Sequence, residues 1–88
     1  MLLMAIEDFS PRGAAAIYER AQTRGRMLPA GVEYVDSRVA QDLGRCFQLV
    51  RAKRAEQLEP WMAEWADLAG FEVVPVVSSA ERALAQPR

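Results

Sequence analysis

Between Leu58 and Ala69 the apolar side chains recur at a helical spacing. Leu58, Trp61, Met62, Trp65, Leu68 and Ala69 stand at offsets 0, 3, 4, 7, 10 and 11, the stripe of an amphipathic helix. Glu59, Glu64 and Asp67 lie largely off that stripe. The segment therefore predicts a helix that buries both tryptophans of the chain against a sheet. Gly70 is placed to close it, because a residue without a Cβ adopts the left-handed conformation at little cost. Pro60 cannot sit deep inside a helix, so regular geometry is expected to begin between Gln57 and Pro60. Arg51–Glu56 then reads as a polar, exposed lead-in. Phe71–Ser78 is rich in valine and predicts a strand.

The remaining elements follow from the same periodicities. Leu2–Phe9 reads as a first strand. Ser10 and Pro11 form a helix-start signal, followed by Ala14, Ile17, Tyr18 and Ala21 on one helical face and Gly25 at the stop. A loop around Pro29 leads to two strands, Val32–Ala40 and Arg45–Arg51, joined by the polar Gln41–Gly44. Ser78 with Glu81 three residues on is a capping-box pattern, so Ser79–Ala85 is expected to be a short terminal helix. The order is βαββαβ, the ferredoxin-like pattern. It defines an α+β domain with a four-stranded antiparallel sheet and two helices on one face, occupying residues 1–79. Residues 80–88 are expected to form a short helix or frayed tail. Pro75 suits the last strand, which lies at an edge in this topology.

Two helices cover one face of such a sheet, yet the strands are apolar on both. Leu2, Met4 and Ile6 alternate with Leu3 and Ala5, and Val73 and Val77 with Val74 and Val76. A solvated second face should be polar, so a second copy of the chain is expected to cover it. If Ala40 pairs with Gly44, Asp36 lies opposite Gln48, Arg38 opposite Cys46, and Tyr34 opposite Val50. Tyr34, Asp36, Arg38, Cys46 and Gln48 then share the face that meets the partner. Val35, Val39, Phe47 and Leu49 turn to the helices. Trp61, Trp65, Phe47 and Phe71 are the expected core anchors.

Composition narrows the chemistry. Of the 88 residues, 51% are hydrophobic and 26% charged, and the net charge is −1, which suits a single folded domain. That balance argues against a nucleic-acid surface, which needs a basic excess. No stretch is long enough to span a membrane, and Met1–Ile6 lacks the length and basic flank of a signal segment. One cysteine allows no internal disulfide, and a cytoplasmic setting is expected. Histidine is absent, which removes the usual neutral-pH acid–base group and the commonest nitrogen ligand. No metal and no cofactor are expected. Cys46, without a histidine to activate it, reads as a small hydrophobe. Glu7 and Asp8 read as the surface end of the first strand. Asp36 and Arg38 read as a charged pair, with Tyr34 and Gln48 beside them as donors to a carbonyl or hydroxyl.

Gly25-Arg-Met-Leu-Pro29, Tyr34-Val-Asp-Ser37, Arg45-Cys-Phe-Gln48, Trp61-Met62, Trp65, Asp67-Leu68, Phe71-Glu-Val-Val-Pro-Val76 and Ser79-Ala-Glu81 together resemble the bacterial family called domain of unknown function 3303. The resemblance covers nearly the whole chain. It implies membership of the dimeric α/β-barrel superfamily, in which two ferredoxin-like protomers pack sheet to sheet, and it brings no assigned catalytic residues. The leading functional expectation is a homodimer that binds a small apolar or aromatic molecule, between sheet and helices or between the two sheets. The alternative, permitted by the superfamily, is a cofactor-independent enzyme of monooxygenase or isomerase type acting on a small aromatic or lactone substrate. Tyr34, Asp36, Arg38 and Gln48 would carry that chemistry, with Asp36 as base. A third reading is a purely structural interaction module. Whether Asp36 stands isolated in a cavity or is neutralised by Arg38 discriminates among them.

Overall fold

The sheet is built on β1 (Leu2–Asp8), a central strand in the computed structural model, which describes residues 1–85. Antiparallel partners flank it: β3 (Arg45–Arg51) on one side and β4 (Gly70–Val76) on the other. β2 (Glu33–Val39) adds outside β3, giving the order β2-β3-β1-β4. Two helices cross between the strands, α1 (Ala14–Arg24) and α2 (Glu59–Trp65), and α3 (Ser79–Ala85) follows β4. This is the ferredoxin-like arrangement, with Pro75 on an edge strand where its missing donor leaves no ladder bond unmade. Residues 86–88 of the expected tail lie outside the described residues.

One face of the sheet meets the helices. Leu3, Ala5, Cys46 and Val50 from β1 and β3 form a single core with Ile17, Leu58, Trp61, Trp65 and Leu68. Trp61 meets Phe71 edge to face, with ring centroids 5.2 Å apart. The helices are tied together at the surface: the Arg20 guanidinium donates to both Asp67 carboxylate oxygens at 2.7 Å and to the Glu64 carbonyl. Arg20 also lies 5.6 Å from the Trp65 ring, which fixes α1 over the end of α2.

Several boundaries differ from the sequence reading for local reasons. Ser10 does not cap α1. Its N–H bonds Asp8 Oδ1 in a turn, and the helix starts after Gly13, whose φ of 81° redirects the chain. α2 is preceded by a 3₁₀ turn, Ala55–Leu58, held by the Gln57 side chain, whose Oε1 accepts from the N–H groups of Lys53 and Arg54. Pro60 then sits in the first turn of α2, where it costs nothing. The helix relaxes into a turn after Trp65, although Leu68 and Ala69 stay buried. Gly70 is not a left-handed cap; it opens β4. The Glu81 N–H donates to Ser78 Oγ at 3.0 Å, as the capping-box pattern implies.

The β2–β3 register is the consequential correction. Val39, not Ala40, begins the pairing, opposite Cys46, and Ala40 donates to the Arg45 carbonyl. A bulge between Tyr34 and Asp36 absorbs one residue. Because side chains alternate with a period of two, this moves residues between faces. Arg38 lies opposite Phe47 and Asp36 opposite Leu49, whereas Ser37 lies opposite Gln48 and Tyr34 opposite Val50. Cys46 and Gln48, opposite Glu7 and Ala5 of β1, turn to the helices. Phe47 and Leu49 lie on the open face with Leu2, Met4, Ile6, Val74 and Val76, all of them partly exposed. Phe47 is thus not a core anchor, whereas Val50 is fully buried on the helix side.

Candidate functional site

Alternation along β1 puts Glu7 in phase with Leu3 and Ala5, on the helix side of the sheet. The directly opposed residue on β3 is Cys46, and Ala5 lies opposite Gln48. Three polar side chains from two central strands thus meet beneath the helices: Glu7 is 7% exposed, Cys46 7% and Gln48 4%. They line a pocket of about 240 Å³ between the sheet, α1 and α2. Its apolar walls include Phe9, Ile17, Tyr18, Trp61 and Trp65, and Val39 reaches it from β2. Phe9 and Tyr18 stack edge to face at 6.4 Å.

Arg26 organises the mouth. It follows Gly25, which ends α1 with a φ of 65°, and precedes Met27, whose φ of 61° is rare for a side chain of that size. The turn delivers the Arg26 carbonyl to both tryptophans: Trp61 and Trp65 donate their indole N–H groups to it at 3.0 and 3.1 Å. The exposed guanidinium stacks 3.9 Å from the centre of the Tyr34 ring and donates through Nε to Gln48 Oε1 at 3.2 Å. Tyr34 and Ser37 share a hydrogen bond at 2.9 Å beside it.

The Arg26 contact fixes which end of the Gln48 amide is which. Its oxygen accepts from the guanidinium, so the amino group is left, and Nε2 is buried with no partner. Leaving a buried donor unmade costs about 1–3 kcal/mol, and native structures carry few such groups. Glu7 is strained electrostatically as well. Burial pushes its carboxyl from the usual 4.5 up to about 6, against the opposing pull of the Cys46 thiol, which donates to it, and of the Arg26 charge. Burial and the neighbouring carboxylate push the Cys46 thiol up to about 12, so it stays protonated at neutral pH. Around the pocket thus stand a weakly acidic carboxyl, a buried amide N–H₂ without a partner and, at the mouth, an exposed guanidinium.

The residues expected from the sequence divide between two places. Tyr34, Cys46 and Gln48 belong to the helix side, with Cys46 and Gln48 lining the pocket. Asp36 and Arg38 belong to the open face, where Arg38 donates to Asp36 Oδ1 at 2.7 Å and both are well exposed. Asp36 is paired with Arg38, solvated, and on the face of the sheet opposite the pocket. Glu7, read as a surface strand end, is buried instead. The sequence placed Glu7 at the surface and Arg26 in a solvated turn; the phase of Glu7 with Leu3 and Ala5 was the available signal for its burial. Among the described residues no group of three carboxylate or thiol side chains is placed to hold a metal ion. No helix among them is long and apolar enough to cross a membrane.

The fold and the site define a small ferredoxin-like α+β domain with a pocket between sheet and helices. Residues 1–86 match the family described as Domain of unknown function (DUF3303), and the chain belongs to it. No curated protein and no solved structure matches the chain.

Proposed function

We propose that the protein binds one small apolar or aromatic molecule carrying a carbonyl or hydroxyl group, in the pocket between the sheet and α1 and α2. The observation that carries this reading is the unpartnered Gln48 amide in an apolar-walled pocket. A core that needed only to pack would place an apolar side chain there, since a buried donor without a partner is a net cost. A volume of about 240 Å³ falls below the roughly 300–1,000 Å³ of drug-sized sites, which favours a single-ring ligand. A second depression of about 470 Å³ beside Met1, Leu2, Arg51 and Pro75 has no buried polar group among its lining residues and is a poorer candidate.

The working unit in this reading is a homodimer joined through the open sheet face. Leu2, Met4, Ile6, Phe47, Leu49, Val74 and Val76 form a contiguous apolar band, rimmed by Glu33, Asp36, Arg38, Arg45 and Arg51. Such a band favours a partner over water, and the mixed charges of the rim can pair across a two-fold axis. The pocket lies on the opposite side of the sheet, so the dimer leaves it open.

Acetophenone, one ring bearing one carbonyl, is a suitable probe. Its titration should change the emission of Trp61 and Trp65 saturably in the wild type. Ala21→Phe, which fills the pocket from α1, should abolish the response while circular dichroism stays unchanged. An undiminished response in the filled variant, or none in the wild type, contradicts the assignment.

A further inference from the structure

Glu7 and Gln48 are diagonal neighbours on adjacent strands, with Glu7 opposite Cys46 and Gln48 opposite Ala5. Diagonal pairs on one sheet face stand about 7–8 Å apart at their backbones, a gap in which a small ligand can touch both side chains. One side chain accepts a proton and the other donates a hydrogen bond. Arg26, on Gln48 Oε1 and close enough to Glu7 to act on its charge, adds a cation on the donor side. A base facing a donor across an apolar pocket is the arrangement that removes a proton beside a carbonyl, because charge leaving the base arrives at an oxygen already held.

Resting on the binding reading above, we propose that the pocket catalyses a proton shift in small unsaturated carbonyl compounds, with Glu7 as the base that removes and returns the proton and Gln48 and Arg26 as the groups that hold the carbonyl oxygen. In the first step the Glu7 carboxylate takes a proton from the carbon between the carbonyl and the double bond. The C–H electron pair becomes a carbon–carbon π bond, and the carbonyl π pair moves onto oxygen to give a dienolate. In the second step the oxygen electrons re-form the carbonyl, and the terminal alkene carbon takes the proton back from the Glu7 carboxylic acid. The product is the conjugated isomer. Atoms and charge balance, no oxidant is consumed, and Glu7 is regenerated.

The surroundings of Glu7 suit the task. The groups that face it are the Cys46 thiol from β3 and the Arg26 guanidinium from the loop after α1, with Tyr18 of α1 lining the same pocket; α2 contributes only indoles. Its carboxyl, pushed up to about 6 by burial, is ionised at neutral pH and is a stronger base than a solvated glutamate. Gln48 Nε2 is closed off from water in the free protein. Because Nε2 has no open surface, a ligand oxygen meets it as the pocket wall around the amide rearranges on binding, with Arg26 still at the mouth.

Allyl phenyl ketone tests the proposal, since it carries the ring, the carbonyl and the non-conjugated alkene and rearranges to phenyl propenyl ketone with a change in ultraviolet absorbance. Binding is followed separately by saturation-transfer NMR. The wild-type protein should accelerate the rearrangement over matched buffer by about 10²-fold, the lower range for a positioned general base. The rate should climb as pH passes about 6. Glu7→Gln should return the rate to the buffer value while still binding the ketone, and Gln48→Leu should lower the rate with the same pH profile. Binding without acceleration, or acceleration that survives Glu7→Gln, overturns the proton-shift proposal and leaves the binding reading standing. Absence of binding overturns both.

Discussion

Replacing Glu7 by glutamine should make the protein more stable at neutral pH and remove one segment of its pH dependence. The carboxyl has an ordinary value of 4.5 and is held at about 6 in the folded chain, chiefly by burial. At 1.36 kcal/mol per tenfold change in proton affinity, that difference corresponds to about 2 kcal/mol. The protonated form is the one the fold accommodates, so between pH 4.5 and 6 the native state keeps a proton that the unfolded chain has released. Stability is then fullest below 4.5 and falls by about 2 kcal/mol as pH rises through 6. Asp8 and Asp67 act in the opposite sense outside this window. The Ser10 N–H and the Arg20 guanidinium hold them below the usual 3.8, so their contributions are lost only in stronger acid. Urea unfolding of wild type and Glu7→Gln, at one protein concentration and at pH 4.5 and 7.5, isolates the effect. The variant should gain about 2 kcal/mol on the wild type between the two pH values. Curves that stay parallel within about 0.5 kcal/mol would mean that Glu7 ionises as it does in water, and the pocket electrostatics argued above would be wrong.

Trp65→Ala should cost about 3–5 kcal/mol, because the ring is 5% exposed and its N–H is one of two that hold the Arg26 carbonyl; a loss under about 1 kcal/mol in chemical denaturation would place the ring at the surface. Cys46 should react slowly with a thiol reagent in the native protein and readily in denaturant, since it is buried and its thiol is pushed up to about 12; fast native labelling would point to an accessible thiolate. If the open face joins two copies, the protein should sediment at twice the 9.8 kDa chain mass at micromolar concentration. Leu49→Lys, on the open face, should yield folded monomer, whereas a variant that stays dimeric would put the contact elsewhere.

The element order was legible because it rests on local signals. The Leu58–Ala69 stripe, the glycine after α1, Pro75 and the Ser78–Glu81 cap each act within a few residues, and together they define a ferredoxin-like sheet. The site was less legible, because it depends on register. A bulge between Tyr34 and Asp36 has no clear sequence signature, yet it separates Tyr34 from Asp36 and Arg38, while the faces of β3 follow its pairing with β1. Hydrophobicity misled for a related reason. Phe47 and Leu49 are the more apolar pair on β3, but the helix side holds Cys46 and Gln48, since there the sheet floors a pocket. Arg26 acts through a carbonyl and a stacked guanidinium, contacts that no spacing rule announces.

A ligand is expected on the helix side of the sheet, over Gln48, and not between two sheets. Intermolecular nuclear Overhauser effects from the ring protons of bound acetophenone decide this most directly. Cross-peaks are expected to the indole protons of Trp61 and Trp65 and to the Ile17 methyls, together with a shifted side-chain amide signal of Gln48 as its buried N–H₂ acquires an acceptor. Cross-peaks to the methyls of Met4, Leu49 and Val74, with the Gln48 amide unmoved, would place the ligand on the open face and contradict it.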